Sequence, residues 1–304
     1  MSATNLPAPE SDPRASIVTR VFVVGAGIMG SGIAAQCALA GHRVTIEDVS
    51  EELARRGVAS ARRALDHSVG RGQLAAADRD AAMERIDAAI GLRRAAAAEF
   101  VIEAAPEDLA IKRRLFAEVE ECAAPEAVLG SNTSSLPITS IGQELKDPGR
   151  LVGLHFFNPV LQMPLLELIP GHRTRPEIVE RAERFAKGLG KTVVRSADTP
   201  GFVTTRAVAV LVNEAAWMLY EGVATRDDID TSYKLGFHHP MGPFELVDLI
   251  GIDTAVSILD VLWDGFRDSR YRACPLLRTM VAAKKLGRKT GEGFYPYPPK
   301  DGRR

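Results

Sequence analysis

Residues 21–30 read Val-Phe-Val-Val-Gly-Ala-Gly-Ile-Met-Gly. A short apolar run ends in G-x-G-x-x-G, with Gly25, Gly27 and Gly30 at the glycine positions and Ile28 and Met29 between the last two. This order predicts a buried strand, a tight turn and the first turn of a helix. Gly25 makes the turn, Gly27 lets the backbone approach a pyrophosphate, and Gly30 lets the helix lie close to the strand. The unpaired N–H groups and the positive dipole end of the helix attract the phosphates.

The following residues supply the context that such a glycine turn needs. Residues 31–40 are rich in alanine and stop at Gly41, a helix followed by its C′ glycine. Residues 43–47 (Arg-Val-Thr-Ile-Glu) read as a second strand with Asp48 at its end. A carboxylate placed there accepts the two ribose hydroxyls of an adenosine and repels a 2′-phosphate, so NAD is favoured over NADP. Asp48 alone also reads as a strand-end turn residue or as the N-cap of a helix over 50–62.

Further along, residues 50–92 read as helical with a break at 70–72, and residues 100–104, 127–130, 151–157, 165–169 and 191–195 as strands. Helices are predicted over 109–122 and 177–189. This alternation predicts an α/β fold with a doubly wound parallel sheet, Rossmann-like, ending near residue 199. Beyond Asp198-Thr199-Pro200-Gly201 the apolar residues fall at helical spacing only, with helices predicted over 202–221, 227–234, 244–262 and 275–285. The expected layout is a disordered tail over 1–16, a nucleotide-binding domain over 17–199 and an all-helical domain over 200–304. Ala207, Val210, Leu211 and Ala215 form a stripe that suits either an internal core or the seam of a homodimer.

The balance of charge excludes some classes of partner. The 304 residues carry a net charge of −1, with the 29 Arg scattered among acids, so neither nucleic acid nor an anionic membrane is an expected partner. No apolar run approaches the ~20 residues that span a bilayer. Three well-separated cysteines without a C-x-x-C suit a reducing compartment, read here as the cytoplasm, and no metal site is expected.

A second constellation lies over 153–168. His155 ends a strand, and Glu167 stands in the otherwise apolar Pro-Leu-Leu-Glu-Leu. Ligands of open α/β sheets bind at the carboxyl ends of strands. Oxidising an alcohol needs a base for the hydroxyl proton, and a histidine steadied by a carboxylate meets that need. The other reading is a core histidine bonded to backbone, with Glu167 on a solvent face. Between them in function is Ser131-Asn132-Thr133-Ser134-Ser135, a polar cluster after a strand. It either caps the next helix or aims donors at the same crevice.

Together with the glycine turn, the segments Ser-Asn-Thr-Ser-Ser, Gly-Leu-His-Phe-Phe-Asn-Pro-Val, Asp-Thr-Pro-Gly-Phe, His-Pro-Met-Gly-Pro-Phe-Glu-Leu and Gly-Arg-Lys-Thr-Gly-Glu-Gly-Phe-Tyr occur in that order. The chain resembles the L-3-hydroxyacyl-CoA dehydrogenases, in particular the bacterial 3-hydroxybutyryl-CoA type, from about residue 18 to residue 297. The resemblance implies NAD as hydride acceptor, an acyl-CoA substrate and a helical dimerisation domain. It implies His155 as base and Glu167 as the residue orienting it. Ser134 is implied at the substrate oxygen, and Asn158 as a positioning amide. Cofactor contacts are implied at Asp48, Glu107, Lys112, Ser134 and Lys289.

Two departures bear on the substrate. The serine that the family uses toward coenzyme A is matched by Ala64, whereas Arg71 keeps the charge of a matching lysine. Thr205 replaces an asparagine that helps hold the substrate carbonyl. A free 3-hydroxy acid of the carnitine or sugar-acid kind is therefore the second expected substrate class. An NAD-binding protein without catalysis is a third reading, disfavoured by His155, Glu167 and Ser134.

Overall fold

The computed structural model describes residues 20–297 and divides the chain into two compact units, one ending at Asp198 and the other beginning at Thr199. The tail expected over 1–16 lies outside the described residues.

The first unit is built on an eight-stranded sheet of order β3-β2-β1-β4-β5-β6-β7-β8. Its strands are β1 (Arg20–Val24), β2 (Arg43–Asp48), β3 (Ile86–Ile90), β4 (Phe100–Glu103), β5 (Val128–Ser131), β6 (Leu151–Phe156), β7 (Leu165–Pro170) and β8 (Thr192–Arg195). The first six are parallel, so β1, β2, β4, β5 and β6 all end at one edge. Strand order reverses between β1 and β4, which places a crevice beside the turn after β1. Strands β4, β5 and β6 are buried at every residue, as a sheet covered on both faces requires.

Helix α1 (Ile28–Leu39) covers β1 with small side chains. Ala34, Ala35 and Ala38 are fully buried and pack in one core with Val21, Val23 and Ile46. Helix α2 (Glu51–Gly70) is capped by Ser50, whose hydroxyl accepts from Leu53 N at 3.2 Å. Asp48 is thus not the N-cap of this helix. Short α3 (Ala76–Met83), α4 (Leu109–Cys122), α5 (Ile138–Ile141) and α6 (Pro176–Gly188) complete the unit.

Two local expectations are corrected. Residues 86–90 were expected to be helical and instead form edge strand β3, parallel to β2. The segment Ile-Asp-Ala-Ala-Ile has alanines where strand formers would announce a strand, and only its first isoleucine is buried. Strand β7 runs antiparallel to β6, not parallel, because the eight residues between them leave no room for a crossover helix.

The second unit is helical: α7 (Thr204–Tyr220), α8 (Arg226–Gly236), α9 (Pro243–Ile250), α10 (Ile252–Phe266) and α11 (Pro275–Ala282). The single helix expected over 244–262 is two, broken at Gly251, whose φ of 104° lies outside helical space. The core joins Ala209, Val212 and Ala216 of α7 to Leu259 and Leu262 of α10 and Leu277 of α11. Two buried acids hold Phe294 and Tyr295 against the helices. Asp248 accepts from the amides of Phe294 and Tyr295, and Asp230 accepts from those of Phe244 and Glu245 and from the Tyr295 hydroxyl.

Candidate active site

The glycine turn after β1 is held from three sides. Gly25 N donates to Glu47 O at 2.9 Å, and Ala26 N donates to Asp48 Oδ2 at 2.8 Å. Gly25 adopts a φ of 100°, and a Cβ there would lie 2.7 Å from Ala104 O, so the turn is pressed against the residues after β4. A Cβ on Gly30 would lie 1.8 Å from Gly25 O, whereas a Cβ on Gly27 would meet nothing within 4 Å. Gly30 thus serves the protein's own packing, and Gly27 faces open space at the N-terminus of α1. That open space, rimmed by unpaired helix N–H groups, fits a dinucleotide pyrophosphate. Ile28 is 78 % exposed beside it, and Met29 packs partly against the core. Asp48 accepts Val49 N through its other oxygen at 2.8 Å. Its carboxylate therefore stays fixed at the strand end while keeping lone pairs for further donors.

A residue not singled out in the sequence completes this turn. Gly57, inside α2, would place a Cβ 2.6 Å from Ala26 Cβ. A glycine in a helix interior costs about 1 kcal/mol relative to alanine. Here it lets α2 lie directly on the turn, and a glycine amid Ala and Arg was the available signal.

Across the sheet, His155 and Glu167 are direct cross-strand partners in the antiparallel β6–β7 pair. His155 Nδ1 lies 2.8 Å from Glu167 Oε2, with His155 4 % and Glu167 0 % exposed. Both are charge-bearing groups in a sheet interior, where each without the other would be costly. The carboxylate fixes the proton on Nδ1, which makes Nε2 the basic nitrogen of the ring. The solvent-facing alternative for Glu167 is thereby excluded. Phe157 packs on the imidazole with ring centroids 4.4 Å apart.

The polar cluster after β5 is organised by a carboxylate. Glu107 Oε1 accepts from Thr133 Oγ1 (2.7 Å), Ser134 N (2.9 Å), Ser135 N (2.9 Å) and Ser135 Oγ (3.0 Å). Burial works against its charged form. The nearby Lys112 and these hydrogen bonds outweigh burial and hold its pKa below the usual carboxylate value. Asn132 Oδ1 accepts from Phe156 N at 2.8 Å, tying the same cluster to the end of β6 beside His155. Ser134 is half-buried at its centre.

Lys112 is 1 % exposed, and its ammonium lies 2.5 Å from Glu103 Oε1 and 3.4 Å from Glu107 Oε2. Buried Glu103, absent from the sequence expectations, also accepts from Ser131 Oγ and Ala105 N. The Lys112 ammonium is turned onto two carboxylates inside the fold. No short motif marks such a network, since its members come from β4, β5 and α4.

A groove of about 390 Å³ runs along α1, α2 and the loop 157–164. Ile28, Ser31 and Gly32 of α1 line one wall, Ser60, Arg63, Ala64 and His67 of α2 another, and Asn158 to Gln162 the third. Asn158 is exposed at its rim, three residues beyond His155. Arg71, the expected cation, is the C-cap of α2 and is not part of this lining; Arg63 and His67 are. Ser60, one turn before Ala64, restores a hydroxyl to the wall, and it accepts from Arg63 Nη2 at 2.6 Å.

In the second unit, Thr205 lies half-buried in the first turn of α7. Lys289 lies between Gly287 and Gly291 and pairs with Asp253 at 2.6 Å.

Comparison with known proteins gives a consistent result. Residues 20–199 match the family model described as 3-hydroxyacyl-CoA dehydrogenase, NAD binding domain, and residues 201–297 match its C-terminal domain. The 3-hydroxybutyryl-CoA dehydrogenase of Bradyrhizobium diazoefficiens is 44 % identical over 283 residues, covering 93 % of this chain and 97 % of the relative. Among solved structures, FadB2 of Mycobacterium tuberculosis superposes with a TM-score of 0.90 at 41 % identity, over 92 % of this chain and 99 % of that one. The (S)-3-hydroxybutyryl-CoA dehydrogenase PaaH1 of Ralstonia eutropha gives 0.88 at 39 % identity, with the same coverage.

Proposed function

The chain belongs to the 3-hydroxyacyl-CoA dehydrogenase family, and from that premise we propose that it catalyses the reversible NAD-dependent oxidation of an L-3-hydroxyacyl-CoA, such as 3-hydroxybutyryl-CoA, to the 3-ketoacyl-CoA. The observation that carries this reading is the buried His155–Glu167 pair at the carboxyl edge of a sheet that also ends in a dinucleotide cradle. Held at the turn of Gly25, Gly27 and Gly30, NAD would supply the acceptor for the C3 hydride. His155 Nε2 takes the hydroxyl proton, and Glu167 stabilises the imidazolium that results. Ser134 holds the substrate oxygen as its charge changes, and Asn158 positions the substrate at the groove mouth. Glu107 keeps the Ser134 backbone in place, and Lys112 keeps Glu107 ionised. Asp48 receives the adenosine ribose.

The groove supports a coenzyme A thioester over a free hydroxy acid. Its volume lies in the range of small-molecule sites, and a guanidinium stands on its wall. Arg63 offers charge-assisted hydrogen bonds to a phosphate, a group that a free hydroxy acid lacks. An NADH-forming assay over 3-hydroxyacyl-CoA thioesters of graded chain length and the matching free acids tests this. Turnover of 3-hydroxybutyryl-CoA is the expected outcome, and Arg63→Ala should raise KM for the thioester roughly tenfold. Turnover of free 3-hydroxy acids alone, untouched by Arg63→Ala, would establish the second substrate class instead. NAD binding without NADH formation on any substrate would leave a non-catalytic binding protein.

The protein acts as a homodimer in this reading. Within α7, Ala207 is exposed and Val210 and Leu211 are only half-buried, whereas Ala215 belongs to the internal core. Leu235, Phe237 and Leu249 of the helical unit are also exposed. Sedimentation equilibrium should return twice the chain mass of 32.8 kDa, and a monomer at micromolar concentration would refute the dimer. The three cysteines are unpaired with one another, which suits a cytoplasmic setting. No helix among the described residues is long and apolar enough to cross a membrane.

A further inference from the structure

Lys191, the residue before β8, is buried at 7 % exposure. Its ammonium donates to Val160 O at 2.6 Å, Met163 O at 2.9 Å and Gln36 Oε1 at 3.2 Å. An ammonium has three protons, and here three oxygens take them. All three acceptors are uncharged, so this is not a salt bridge. Two of them belong to the loop 157–164, which joins the strand of His155 to the strand of Glu167 and forms one wall of the groove. The third belongs to α1, the helix that opens at the glycine turn. Gln36 is itself fixed, because its Nε2 donates to Leu189 O at 2.9 Å. Between the two attachments, Val160 rests on Gly32 of α1 so closely that a Cβ on Gly32 would lie 2.9 Å from Val160 Cγ2.

Among the described residues this buried cation has no counter-ion, which is costly to the fold. A hydrophobic side chain of the same length would fill the space at less cost, so the charge needs a reason beyond packing. We propose that Lys191 is a positioning residue that fastens the 157–164 loop to helix α1 and thereby sets the groove wall against which the acyl-CoA lies. The proposal rests on the dehydrogenase reading for its substrate, while the fastening itself is independent of that reading. The hydrogen bonds of Lys191 go to the loop and to α1, so its influence on turnover passes through the loop.

The ionisation of this lysine offers a readout. Burial pushes its pKa down to about 8. The titratable group that would act on it when charged is the Cys37 thiol of α1, which burial pushes up to about 12, so it stays neutral over the useful range. As pH rises through about 8, the lysine keeps two protons for three acceptors, and one attachment is lost. Stability moves the other way. A lysine with a depressed folded pKa destabilises the fold below that pKa. The cost is relieved as pH rises from about 8 toward the unfolded value of roughly 10.4. A lysine serving the fold alone would not weaken substrate binding while its own burden on stability lifts.

The test is Lys191→Met, which keeps the stem and removes every donor. Hydrogen exchange should quicken on peptides covering 157–164 and stay unchanged on β1. KM for 3-hydroxybutyryl-CoA should rise roughly tenfold with NADH affinity kept within about twofold. In the wild type, KM should climb above about pH 8, and this limb should be absent in the variant. Unchanged exchange in 157–164 would overturn the fastening, whether or not the protein turns over any acyl-CoA. Faster exchange with an unaltered KM would overturn the positioning role. Absence of activity in the wild type on every acyl-CoA would instead fail the functional reading, and the exchange experiment would still decide the fastening. Gln36→Leu cuts only the α1 end and carries the same exchange test if Lys191→Met does not fold, with unchanged loop exchange again overturning the proposal.

Discussion

His155→Ala is expected to lower kcat for 3-hydroxybutyryl-CoA by a factor on the order of 10² to 10⁴, with the dissociation constant of NADH unchanged. The size follows from what is lost. Without an imidazole no group on β6 takes the hydroxyl proton, yet the cradle and the loop held by Glu107 persist. One complication is built into the geometry. The substitution strips the ring from a carboxylate that is fully buried, and breaking a buried pair costs about 3–5 kcal/mol. His155→Asn is the companion variant, because its amide still offers a donor to Glu167. Equal losses of kcat in the two variants, at different melting temperatures, would separate base from fold. A fully active His155→Ala enzyme would refute the assignment.

Gly30→Ala and Gly27→Ala should fail in different ways. At Gly30 the added methyl would lie 1.8 Å from Gly25 O and 3.4 Å from Val23 Cγ1. Neither backbone can yield cheaply, since the turn is wedged against Ala104 and tied to β2 through Ala26 and Asp48. The helix must move off the strand, so both melting temperature and NADH affinity fall. At Gly27 the methyl meets no protein atom within 4 Å. The apoprotein should melt like the wild type, while NADH affinity drops roughly 100-fold, about 2.8 kcal/mol, because the methyl occupies the phosphate's place. A fluorescence titration with NADH and a thermal melt on each variant decide the matter. Normal NADH binding by Gly27→Ala would show that the pyrophosphate does not lie there.

How much of this was legible beforehand differs by the range of the interaction. The glycine turn, Asp48 and the strand of His155 could be read from contiguous residues, because a strand, a turn and a helix N-terminus leave local marks. The His155–Glu167 pairing could be suspected but not placed, since its cause is a cross-strand register that only the fold displays. The antiparallel reversal was missed because a buried strand reads the same in either direction. Strand β3 was missed because alanine speaks for helix unless a neighbouring strand overrides it. The Glu103–Lys112–Glu107 network and the Lys191 attachment were invisible, as their partners lie on separate elements and carry no motif. Arg63 went unmarked because a groove walled by three separate elements leaves no local motif.

The cross-strand partnership of His155 and Glu167 also bears on how such a protein can diversify. Side chains alternate along a strand, so a slip of one residue between β6 and β7 would carry Glu167 to the opposite face. Mutations that change the register are therefore lethal to the charge pair. Mutations that change only the side chains of 161 and 162 reshape the groove and leave the pair alone. New substrate ranges can thus be explored by exchange of residues in this loop, whereas the chemistry is inherited intact.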